Sequence, residues 1–123
     1  MPVEGVIATA RINMNTAADS RHPSVITTFE LPAEHPAWPE GTIMTQVMND
    51  VTPVPGKATA LTSVATSNII GVLNRRVDVD ETSGNVLVHG SVPAEILKYI
   101  PLDGPVDATS GQIAALRAVG IYV

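Results

Sequence analysis

The stretch Ile69–Tyr99, IIGVLNRRVDVDETSGNVLVHGSVPAEILKY, decides the fold. An apolar run (Ile69, Ile70, Val72, Leu73) leads through Arg75 and Arg76 into alternation at Val77, Asp78, Val79 and Asp80. Glu81–Asn85 then reads as a turn, because Gly84 and Asn85 tolerate positive φ and Thr82 and Ser83 bond locally to the backbone. Val86–Val92 alternates again until Pro93 opens a short helix. The expectation is two strands joined by a tight turn. They feed about two helical turns over Pro93–Tyr99, with Pro at the first position and Ser91 or Val92 as cap.

Working toward the C-terminus, Pro101–Pro105 breaks this helix. Thr109, Ser110, Gly111 and Gln112 then have capping-box spacing. Ile113 and Leu116, with Ala114 or Arg117, give a one-sided short helix, and Gly120 is placed for a left-handed C-terminal cap. Ile121-Tyr122-Val123 is apolar to its last residue, which predicts a strand paired in a sheet.

Toward the N-terminus, residues 58–68 are small and leave two readings open, a weak strand or a loop. Thr42–Met48 alternates, with Ile43, Thr45 and Val47 on one face. Asn49-Asp50 turns the chain into Val51–Val54, where Pro53 suits a sheet edge. Pro32–Gly41 holds three prolines and reads as an extended surface connection, with Trp38 either a contact residue or packed on its own domain. Val25–Leu31 is β-prone and Pro32 ends it. Residues 1–24 carry isolated apolar side chains without a period, so they offer little burial against their ordering entropy. Two readings stay open: a frayed terminus, or a flexible N-terminal arm that orders on a partner, with Gly5–Thr9 able to form a strand. Residues 25–123 read as a single domain.

Composition supports this reading. Of 123 residues 45% are hydrophobic, but only Phe29, Trp38, Tyr99 and Tyr122 are aromatic, so aliphatic side chains must fill the core. Ten prolines and nine glycines interrupt the chain too often for a helical bundle. The fold class expected is therefore mainly β (α+β) with short helices. A net charge of −5, with no basic cluster beyond Arg75-Arg76, argues against nucleic-acid binding. No apolar run reaches the ~18 residues of a membrane span, and no leader-like succession opens the chain. The expectation is a soluble protein made in a cytoplasm. Without cysteine there are no disulfides, thiolate metal sites or cysteine nucleophiles.

Candidate chemistry is sparse. His22, His35 and His89 show no metal-ligand spacing, and His89 reads as a satisfied strand histidine before a glycine. Asp78 and Asp80 superficially suggest calcium, but the loop lacks the further ligands and terminal glutamate of an EF-hand. A solvated strand edge fits them better. There is no G-x-S-x-G, and Pro55-Gly56-Lys57-Ala58 lacks the parts of a phosphate loop. The residues predict no enzyme, no catalytic or metal site and no cofactor.

The order of features nevertheless resembles a known family. G-T-I at Gly41–Ile43, I-I-G-V-L at Ile69–Leu73, V-L-V-H-G at Val86–Gly90 followed by a helix, and the terminal I-A-A-L-R-A-V-G-I-Y-V resemble the lambda-like bacteriophage head decoration proteins. The resemblance covers residues 41–123, in pattern and order. It implies a β-clip-like small domain that assembles as a homotrimer on the outer surface of the virion. Such trimers sit at three-fold positions of the expanded head and stabilise it, with the major capsid protein as partner. It also implies an N-terminal arm that adds a strand to the capsid protein, which here would place Val3, Gly5, Val6, Ile7, Ala8, Thr9, Arg11 and Ile12 in contact with the shell. Two rivals remain on the residues alone. One is a small ligand- or metal-binding β-barrel enzyme with a site built from His89, Asp78 and His35; the other is a fibre or adhesin module.

Overall fold

A computed structural model describes residues 23–123 of the chain. Eight strands and one α-helix follow in order: β1 (Val25–Glu30), β2 (Ile43–Asn49), β3 (Thr52–Ala60), β4 (Ile69–Leu73), β5 (Ser83–Ser91), β6 (Lys98–Tyr99), β7 (Val106–Asp107), α1 (Ser110–Ala118) and β8 (Ile121–Tyr122). The main sheet runs β1-β3-β2-β4-β5-β8, and β1 also pairs with β5, which closes the strands into a small barrel. Pairing is antiparallel except at β1–β3 and β5–β8. The mainly-β expectation holds.

Alternation along β2, β4 and β5 sends side chains to two cores. Met44, Leu73 and Val86 join Leu31, Trp38, Ala58, Ala60 and Val77 on one face. Ile43, Val72 and Leu87 join Leu61, Ile69, Leu97, Leu116 and Ile121 on the other. Strands buried on both faces read as continuous apolar runs, which explains I-I-G-V-L and V-L-V. Between them, Gly71 fills a position where no side chain fits. A Cβ there would lie 2.1 Å from the Leu87 carbonyl oxygen.

The centre of the chain differs from the sequence expectation. Val77–Asp80 forms no strand; only Val77 pairs, as an isolated bridge with Trp38. The turn lies at Asp78–Glu81 instead. The Glu81 N–H donates to the Asp78 carbonyl at 3.1 Å, and a Glu81 carboxylate oxygen accepts from the Asp78 N–H at 2.7 Å. Asp78 and Asp80 are thus not same-face neighbours on a strand edge. Ser83, Gly84 and Asn85 belong to β5, because β1 pairs along β5 as far as Ser83. Gly84 serves packing, with Leu73, Leu31 and Val77 side-chain atoms within 3.4 Å of where its Cβ would be.

Past β5 the expected two-turn helix is one 3-10 turn, Ala94–Ile96, with Pro93 as cap. Tertiary bonds override local propensity here. The Lys98 N–H donates to the Gly41 carbonyl, and the Leu97 carbonyl accepts from Ala108. The region left open at residues 58–68 divides: Ala58–Ala60 completes β3, and 61–68 is a connection.

The C-terminal elements follow the pattern. Thr109 caps α1 in a reciprocal box with Gln112. Gln112 is fully buried, and its amide also donates to the Ser63 carbonyl at 2.9 Å, tying the helix to the connection. β8 pairs parallel with the end of β5, as the apolar terminus suggested.

Replacing Gly71 by Ala should lower stability by about 3 kcal/mol, since backbone must shift to admit the methyl group. At Gly104 nothing lies within 4 Å of an added Cβ, so Ala there meets only the cost of its positive φ, about 1 kcal/mol. Urea denaturation of both variants checks the difference.

Candidate functional site

Val3, Gly5, Val6, Ile7, Ala8, Thr9, Arg11 and Ile12, which the family resemblance would place against a capsid, and His22 lie outside the described residues. Their point of attachment is defined. The Pro23 carbonyl oxygen lies 3.3 Å from His89 Nδ1, and Val25 sits beside His89 in the β1–β5 ladder. His89 also meets Tyr122 edge-to-face at 5.9 Å. The chain therefore enters the barrel at the end where β8 leaves it. Val25, Val119 and Tyr122 leave apolar surface exposed in this neighbourhood.

The three residues of the enzyme reading do not converge. His35 lies against Glu81, next to the turn that holds Asp78, where β5 begins. His89 is six residues along β5 from Ser83, roughly 20 Å away at strand rise. Among the described residues no group of three His, Asp or Glu side chains is placed to hold a metal ion.

His35 has a different role. It is buried, its ring stacks on Trp38 at 4.7 Å, and its two nitrogens each lie 2.7 Å from a carbonyl oxygen: Nδ1 from Pro36, Nε2 from Glu81. A ring with one N–H donates to one carbonyl, and a doubly protonated ring donates to both. Trp38 exchanges two backbone hydrogen bonds with Val77, both 3.0 Å. The proline-rich connection is thus clamped to the 77–81 corner, and Trp38 packs on its own domain. No local pattern signals this partnership, because the two segments are separated by some forty residues.

A groove of about 650 Å³ opens beside this clamp. Its walls are the Pro32–Trp38 segment and the Ile100–Pro105 loop, its floor Thr59 and Ala60. Leu102 at its lip is fully exposed. Its polar groups are few, and the His35 nitrogens already face backbone carbonyls. The ion pairs among the described residues are peripheral: Glu30–Lys57 at 3.7 Å, Arg76–Asp78 at 3.0 Å, and Lys98–Asp107. No helix among the described residues is long and apolar enough to cross a membrane.

Comparison with protein-family models and with curated proteins finds no match to this chain.

Replacing His35 by Ala removes the stacked ring and its hydrogen bonding between two carbonyls. The expected loss is about 2 kcal/mol, seen as a lower denaturation midpoint.

Proposed function

We propose that this chain is a capsid decoration protein, a trimer that binds the expanded head of a bacteriophage from outside and reinforces it. The observation that carries the reading is the ordered resemblance over residues 41–123, joined to the steric role of its glycines. Gly41 and Gly71 fall where an added Cβ would lie 2.0 and 2.1 Å from a carbonyl oxygen. Two glycines of the quoted pattern thus sit where this backbone geometry requires them, which is compatible with the resemblance.

The architecture suits such a role. Two compact cores make a rigid body, and the N-terminal segment joins it beside an apolar end. An arm of this kind would supply backbone hydrogen bonds to an open sheet edge of the capsid protein, with Val6 and Ile7 in pockets. Ordering ten residues costs on the order of 10 kcal/mol of backbone entropy, so one arm alone binds weakly. Three arms on one trimer raise the effective concentration at a three-fold position and make weak contacts sufficient together. Closed three-fold symmetry also avoids open-ended polymerisation.

The ligand-binding barrel is the second reading, favoured by the groove beside His35, whose volume falls in the range of small-molecule sites. Its lack of convergent polar groups ranks it below decoration.

Two measurements test the proposal. Light scattering at micromolar concentration should give the mass of a trimer; a monomer alone would count against decoration. Co-sedimentation with shells of the capsid protein encoded in the same genome should show binding to expanded shells and little to unexpanded ones. Deleting residues 1–24 should leave a folded trimer that no longer sediments with them. Undiminished binding by the truncated chain would make the arm dispensable.

A further inference from the structure

Beyond β4 the chain stays beside the start of β5, where the Asn74 N–H donates to the Asn85 carbonyl at 2.8 Å. Between these two segments lies a concavity of about 130 Å³, lined by Arg75, Arg76, Val77, Glu81, Ser83 and Asn85. Its lining is mainly polar, unlike that of the groove beside His35. Val77 is fixed to Trp38 by two backbone hydrogen bonds, and Ser83–Asn85 are paired with β1. Both sides of the concavity are therefore held in place before any ligand arrives.

Its donors lack acceptors. Five lysines and arginines fall among the described residues. Lys57, Arg76 and Lys98 are ion-paired to Glu30, Asp78 and Asp107. Arg117 sits in the last turn of α1, where a cation complements the helix dipole. Arg75 alone has neither an ion-pair partner among the described residues nor a helix end to serve. Beside it, Asn85 Oδ1 accepts from the Thr28 hydroxyl at 2.9 Å, which leaves the Asn85 amide N–H groups to donate. Ser83 adds a hydroxyl. The neighbouring carboxylates are engaged elsewhere: that of Asp78 by Arg76 at 3.0 Å, and one oxygen of Glu81 by the Asp78 N–H at 2.7 Å.

We propose that this concavity binds a carboxylate, held by the Arg75 guanidinium and by the Asn85 amide and Ser83 hydroxyl. A planar guanidinium fork matches a planar carboxylate. Asp78 and Glu81 stand close enough to oppose a second negative charge, so a singly charged group is preferred to a phosphate dianion. The volume admits the acid group and little more, so the rest of the ligand stays outside. A small free acid and an acidic side chain of a partner protein present the same chemistry here. The site rests on the 75–85 geometry alone and is independent of the decoration reading.

The test uses the free full chain and no capsid. Sodium acetate is titrated into labelled protein while the side-chain N–H signals of Arg75 and Asn85 are followed by nuclear magnetic resonance. Both should shift saturably in the millimolar range. Read at Asn85, Arg75→Gln should weaken binding by at least about tenfold, with backbone signals showing the fold intact. Arg117→Gln removes the same charge elsewhere and should leave binding unchanged. A blocked Ala-Glu-Ala peptide binding more tightly than acetate would identify the side chain of a partner as the source, and weaker binding a free acid. Equal shifts from sodium chloride, tighter binding of inorganic phosphate than of acetate, or equal weakening by the two substitutions would overturn the proposal.

Discussion

Four parts of this fold are tied together by the Gly41–Ile43 backbone. The Gly41 N–H donates to Leu73 and its carbonyl accepts from Lys98; the Thr42 carbonyl accepts from Leu73, and the next carbonyl, of Ile43, accepts from Leu61. The Thr42 side chain, fully buried, donates to the Pro39 carbonyl at 2.7 Å. One short segment therefore joins β4, β6, the proline-rich connection and the start of the 61–68 connection. Gly41 adopts φ +91° with the Ile96 carbonyl oxygen 2.0 Å from where a Cβ would be. This approach allows the 93–99 segment to lie across the barrel and cover the second core. A side chain at Gly41 would push that cover away and expose Leu97 and Ile43 together.

The legible parts of the sequence were those whose signal is local. The Thr109–Gln112 capping box, the alternation of Thr42–Met48 and the apolar terminus all appear where their patterns place them. The centre departs from its local pattern for a nonlocal reason. Val77–Asp80 alternates like a strand, but Trp38 takes up only Val77, and the Glu81 carboxylate turns the chain at Asp78. Gly84 resembles a turn glycine, yet it is needed small because Leu31, Leu73 and Val77 surround it. The 93–99 segment has the residues of a helix, but its backbone groups bond to Gly41 and Ala108 and cannot also bond along a helix.

The candidate site was less legible still. The His35–Trp38–Val77–Glu81 clamp joins segments with no sequence relationship, and each residue has an ordinary local explanation. No single motif marks function; what remains is an ordered set of short patterns whose glycines have steric causes. A rigid barrel with its N-terminal segment attached beside an exposed apolar end is a reasonable instrument for surface attachment. On the decoration proposal, the barrel would serve as a fixed platform and the segment before Pro23 as its tether.

On the decoration proposal, this body would sit at the three-fold positions of a viral shell. Electron cryo-microscopy of expanded shells incubated with the purified full chain should then show trimeric density at those positions, with the Pro23–Tyr122 end turned toward the shell and continuous density from it into a capsid-protein sheet. Bare three-fold positions at saturating protein would contradict it.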